Sequence, residues 1–146
     1  MAADPAKVGG GLFRTDGGVK ASSGLDVSDA AISEAWSKVR DDSQEETWLL
    51  LKYEGKAKLA VHTTGAGGGK ELLQKLTEDE VFFGGFRTSD GKFHCLQFVG
   101  EGVGAMAKGR AAAHKNAAFN ALEGTIDEVC GTGMDEFTER LSKLAF

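Results

Sequence analysis

Val39-Arg40-Asp41-Asp42-Ser43-Gln44-Glu45-Glu46-Thr47-Trp48-Leu49-Leu50-Leu51-Lys52-Tyr53-Glu54-Gly55 carries the reading of the fold. Before it, Val27, Ala31, Ala35, Trp36 and Val39 recur at helical spacing, with Ser28 or Asp26 placed to cap the helix. The polar stretch 40–43 ends that helix. Residues 47–53 are aromatic and apolar and read as a central strand. Glu54-Gly55-Lys56 then makes a tight turn into a second strand, 57–63, antiparallel to the first.

The same pattern extends towards the C-terminus. A glycine-rich loop at 65–69 leads into a short helix with Leu72, Leu73 and Leu76 inside. Residues 81–87 and 92–99 form a hairpin around Ser89-Asp90-Gly91, where Asp-Gly supplies the positive φ of such a turn. Residues 104–122 are a long alanine-rich helix, 125–130 a short strand, and 134–144 a closing helix with Phe137, Leu141 and Leu144 on one side. The order α-β-β-α-β-β-α-β-α predicts an α+β domain, a mixed five-stranded sheet with helices on both faces.

Residues 1–24 contrast with this. They hold three glycine-rich clusters and little apolar beyond Leu12, Phe13 and Val19. Such a segment cannot offset the entropy of ordering its backbone, so it reads as a flexible tail before a domain at 25–146. The alternative is that Leu12-Phe13-Arg14 docks on a partner or on the domain.

Composition narrows the function classes. A chain of 146 residues, 41% hydrophobic and 27% charged, is long enough to bury a core without metal or disulfide staples. No apolar run approaches a membrane span, and the N-terminus lacks a secretory pattern, so we expect a protein of the cytoplasm; we also expect a monomer. Cys95 and Cys130 then read as reduced thiols, with a disulfide between them as the alternative. The net charge of −5 comes with no basic stripe for nucleic acid. An acidic partner would therefore need a local basic cluster.

Several motifs imitate chemistry. Gly65-Ala66-Gly67-Gly68-Gly69-Lys70-Glu71 suggests a phosphate loop, but Thr64 stands where the first glycine belongs and Glu71 where Ser or Thr should hold magnesium. Gly100-Glu101-Gly102-Val103-Gly104-Ala105 loosely fits a dinucleotide fingerprint, yet it arrives after two thirds of the chain. His62, His94 and His114 lack ligand spacing and read as surface residues. We expect no catalytic residue, cofactor or metal.

Val39-Arg40-Asp41-Asp42, Trp48 and Lys52-Tyr53-Glu54-Gly55 resemble the V-R-D-D, strand tryptophan and K-Y-D-G pattern of coactosins. These belong to the actin-depolymerising-factor homology (ADF-H, cofilin-like) family. Phe83-Gly84-Gly85-Phe86-Arg87 is similar to the family's strand before the central hairpin, and residues 98–103 to the W-I-G-E-N-V leading into its long helix. The resemblance implies an ADF-H/gelsolin-like fold and binding to the side of actin filaments without catalysis. A cofilin-like binder of monomers that severs filaments, or a module for another protein, are the alternatives. By the same resemblance Lys108 and Arg110, at the start of the long helix, and Lys92 are the implied actin contacts. Lys115, Arg140 and Lys143 are weaker candidates. Arg110 is expected near a Met106, Ala113 and Ala117 stripe at the core's edge. Phe119, expected opposite the alanines, either packs or meets a partner, and packing is preferred. The loop before Lys92, Thr88-Ser89-Asp90-Gly91, is shorter and less basic than the family's.

Overall fold

The computed structural model describes residues 24–146. The proposed tail, with Leu12-Phe13-Arg14, lies outside the described residues. The elements are α1 (Ala30–Arg40), β1 (Trp48–Tyr53), β2 (Leu59–Gly65), α2 (Gly69–Leu73), β3 (Val81–Arg87), β4 (Phe93–Val99), α3 (Ala105–Asn120), β5 (Asp127–Thr132) and α4 (Met134–Leu141). This is the expected order. The sheet runs β2-β1-β3-β4-β5, antiparallel except for the parallel β4–β5 pair that α3 connects.

Strand alternation divides the core into two layers. Leu49, Leu51, Phe83 and Cys95 pack with Ile32, Trp36 and Val39 of α1 and with Ala111, Ala118 and Phe119 of α3. Trp48, Leu50, Phe82, Phe86, Leu96 and Phe98 pack with Leu72 of α2 and with Phe137 and Leu141 of α4. Residues 48–51 are apolar without interruption because successive side chains enter opposite layers. β1 is an interior strand, while the middle place belongs to β3.

Several boundaries differ from the sequence reading. The cap of α1 is Asp29, whose carboxylate accepts the Ala31 N–H at 3.0 Å. Asp26 is held elsewhere, its backbone bridged to Lys58 and its side chain bonded to Ser28. β2 begins two residues later than expected because the turn extends until Glu54 N–H meets the Lys58 carbonyl at 2.8 Å. β5 is likewise shifted to Asp127–Thr132; Thr125 instead donates its hydroxyl to the Leu122 carbonyl. α4 stops at Leu141. Gly91, at φ 80°, supplies the hairpin turn as expected. Both cysteines are free.

Two of the three histidines are buried, against the surface reading. His94 stacks on Phe86 with centroids 5.2 Å apart, and His114 meets the Tyr53 hydroxyl through Nδ1 at 2.7 Å. Imidazole is apolar enough on its faces to line a core when its ring finds such neighbours.

Candidate functional site

α3 is attached to the sheet and to α1 by polar pins as well as by its small side chains. Gln97 of β4 donates to the Ala111 carbonyl at 2.8 Å, and Trp36 Nε1 to the Glu123 carbonyl just past the helix, also at 2.8 Å. With the Tyr53–His114 contact these fix the helix phase. The buried stripe is Ala111, His114, Ala117, Ala118, Phe119 and Leu122, so Phe119 packs inside, on the alanine side. Of the Met106, Ala113 and Ala117 stripe expected at the core's edge, Ala117 is buried, while Ala113 is exposed and Met106 is 82% exposed.

The first two turns of α3 depart from what a stable helix prefers. Gly104 caps it without a side-chain bond, no acid lies in the first turn, and the first helical bond is Lys108 N–H to the Gly104 carbonyl at 2.9 Å. Lys108, in the first turn of α3, places positive charge near the positive end of the helix dipole, which costs a few tenths of a kcal/mol, while Arg110 lies in the second turn, where the effect fades. Neither makes an ion pair among the described residues. Between them Gly109 is exposed, and a Cβ placed there would meet nothing within 4 Å among the described residues. Met106 is one of two large hydrophobic residues left exposed among the described residues. Met106 and Arg110 are one helical turn apart, whereas Lys108, two residues from each, points in another direction.

Gly109→Ala should raise stability by about 0.5–1 kcal/mol, because alanine has the better helix propensity and the space is open. A higher urea midpoint checks this; a lower one would mean that the space is not open.

Arg110 also bears on Tyr53, the chain's single tyrosine. Burial pushes its hydroxyl up to about 12, against a smaller opposing effect of the Arg110 charge. The folded form therefore favours neutral Tyr53. That contribution is complete below the free value of 10.0 and is lost as pH rises through about 12. Phenolate absorbance of the folded protein should titrate near 12, and near the free value in denaturant; equal midpoints would contradict the buried hydroxyl.

The remaining predicted cations are differently placed. Lys92 is exposed at the hairpin, with Nζ 3.8 Å from Asp90, whose carboxyl is held low chiefly by the Thr88 hydroxyl. Seven residues of β4 at about 3.3 Å each separate it from the α3 end, a distance of roughly 20 Å. Lys92 and the Lys108–Arg110 pair are therefore not brought together. Lys115 is tied to Glu128 at 2.8 Å and lies over the Phe119 ring. Arg140 donates to the Cys130 carbonyl at 2.6 Å and pairs with Glu136. Lys143 pairs with Glu139 at 3.6 Å and is largely exposed. It sits at the Lys92 end, where the Ser89 N–H donates to the Ala145 carbonyl at 2.7 Å.

The glycine-rich loops use their own donors. Glu71 accepts the Gly67 N–H at 2.9 Å and the Trp48 indole at 2.8 Å, and those bonds hold its carboxyl below the usual range. Its carboxylate stands where a bound phosphate would need free N–H groups. Gly100 and Gly102 donate to the carbonyls of Glu80 and Glu78.

The sequence profile of the cofilin/tropomyosin-type actin-binding proteins matches residues 24–143. The chain belongs to this family. It is similar to coactosin of Dictyostelium discoideum, 31% identical over 122 residues, which are 78% of this chain and 84% of that protein. It is also similar to the drebrin-like protein of Mus musculus, 33% identical over 100 residues, or 64% of this chain and 23% of that longer protein. The crystal structure of coactosin from Entamoeba histolytica superposes with a TM-score of 0.68 at 26% identity, covering 80% of this chain and 90% of that one. The five-stranded sheet with helices on both faces is therefore the ADF-H fold of the coactosins and cofilins.

Proposed function

We propose that the protein binds the side of actin filaments, in the manner the resemblance to coactosins implies, and modulates the cytoskeleton without catalysis. The observation that supports this is the α3 start: Lys108 and Arg110, without ion pairs among the described residues, flank an exposed glycine near the exposed Met106. Met106 joins the contact set on its exposure, with Lys92 as a second, weaker contact at the far end of β4. Asp90 shares the Lys92 charge, so filament affinity is modest. Lys115 and Arg140 act mainly within the fold, where Glu128, Glu136 and the Cys130 carbonyl engage them; Lys143 is available as an outlying charge. The domain at 25–146 works as a monomer in the cytoplasm, and residues 1–24 serve as its tail.

The cofilin-like alternative separates from this one under the microscope. Labelled protein added to surface-attached filaments should decorate their sides and leave their lengths unchanged. Progressive shortening would assign the chain to the severing branch instead.

A further inference from the structure

Glu78 lies in the loop between α2 and β3, outside the surface described above. Its carboxylate accepts backbone N–H groups from two other elements: Oε1 takes that of Glu101 at 3.1 Å, and Oε2 that of Met134, the first residue of α4, at 3.0 Å. Its carbonyl accepts the Gly102 N–H at 2.7 Å, and the Glu80 carbonyl accepts that of Gly100 at 3.0 Å. The turn 100–104, which launches α3, is thus pinned from the β3 side. The approach is close, since a Cβ on Gly100 would stand 2.2 Å from the Glu78 carbonyl oxygen.

α3 has no side-chain cap of its own, and among the described residues nothing packs within 4 Å of where a Cβ on Gly104 would sit. The contacts described above set the phase of α3, and the bonds to the turn 100–104 order the residues that lead into its first turn. A carboxylate suits the task because two oxygens serve two donors and its charge complements the α4 N-terminus. A carboxamide can serve one donor, while its NH₂ opposes the other.

We propose that Glu78 is a positioning residue for the Met106, Lys108 and Arg110 surface, aiming it through the turn 100–104 without touching the partner. This rests on the reading of that surface as the filament contact. Filament co-sedimentation of Glu78→Ala, alone and with Lys108→Ala, tests it, together with amide exchange of the free proteins. Glu78→Ala should weaken binding roughly fivefold to tenfold, as expected for losing charge-assisted bonds that hold a contact in place, and Glu78→Gln by less. In the Lys108→Ala background the further loss should largely vanish, because both changes remove one contact. In the free protein the Lys108 N–H should exchange about tenfold faster in Glu78→Ala, while the Leu96 N–H in the core is unchanged. The same loss in both backgrounds, or unchanged exchange at Lys108, would overturn the proposal. Wild-type protein that stays in the supernatant defeats the filament reading alone, since exchange still decides whether Glu78 holds the helix start.

Discussion

Lys108→Glu combined with Arg110→Glu is expected to weaken filament binding by about 2 kcal/mol or more, roughly 30-fold, while the fold becomes no less stable. The two halves of that result arise from one geometry. Both side chains lie in the first two turns of α3, without ion-pair partners among the described residues, so no ion pair described there is broken. Near the positive end of a helix, acids replace cations favourably, which adds a few tenths of a kcal/mol to stability. Against an acidic partner the same change turns two attractions into repulsions. Co-sedimentation for binding and thermal unfolding for stability separate the two. Unchanged pelleting would remove both residues from the contact.

Gly84→Ala should act in the opposite manner, damaging the fold itself. Gly84 faces Leu50 across the β1–β3 ladder, and a Cβ there would lie 2.0 Å from the Leu49 carbonyl oxygen. Backbone in an interior strand cannot yield as a flexible side chain does, so β1 and β3 must separate or shift register. A loss of about 3 kcal/mol or more is expected, at the upper end for overpacking. At the neighbouring Gly85 a Cβ would lie 2.6 Å from the Trp36 ring, a side-chain obstacle where Gly84 has a backbone one. Denaturant unfolding checks this; a variant as stable as the parent would contradict the close β1–β3 approach.

The fold was legible from the sequence because its strongest signals are long and periodic. Residues 48–53 alternate between two apolar layers, and Phe83-Gly84-Gly85-Phe86 needs glycine where β3 meets β1 and Trp36. Ends were less legible. Asp26, Ser28 and Asp29 are equally good caps by residue type, and backbone pairing of Asp26 with Lys58, far along the chain, selects Asp29.

The candidate site was half legible. Lys108 and Arg110 were proposed from their place in the family pattern, whereas the exposure of Met106 was not foreseen. In an alanine-rich helix the small residues fit core and surface alike, so they leave the phase undefined. Phe119 and Leu122 were the better guides: stepping back from them by helical spacing gives Ala118, Ala111 and His114 inside and Met106 outside. The burial of His114 depends on Tyr53, 61 residues away, and no local pattern announces it.

The most direct test is co-sedimentation of the unmodified protein with excess actin filaments at low and at raised salt. If the α3 start is the contact, protein pellets with filaments at low salt and is progressively released as screening shortens to about 10 Å at 0.1 M and below that beyond it. Protein that remains in the supernatant at low salt, with filaments in excess, would contradict filament binding outright.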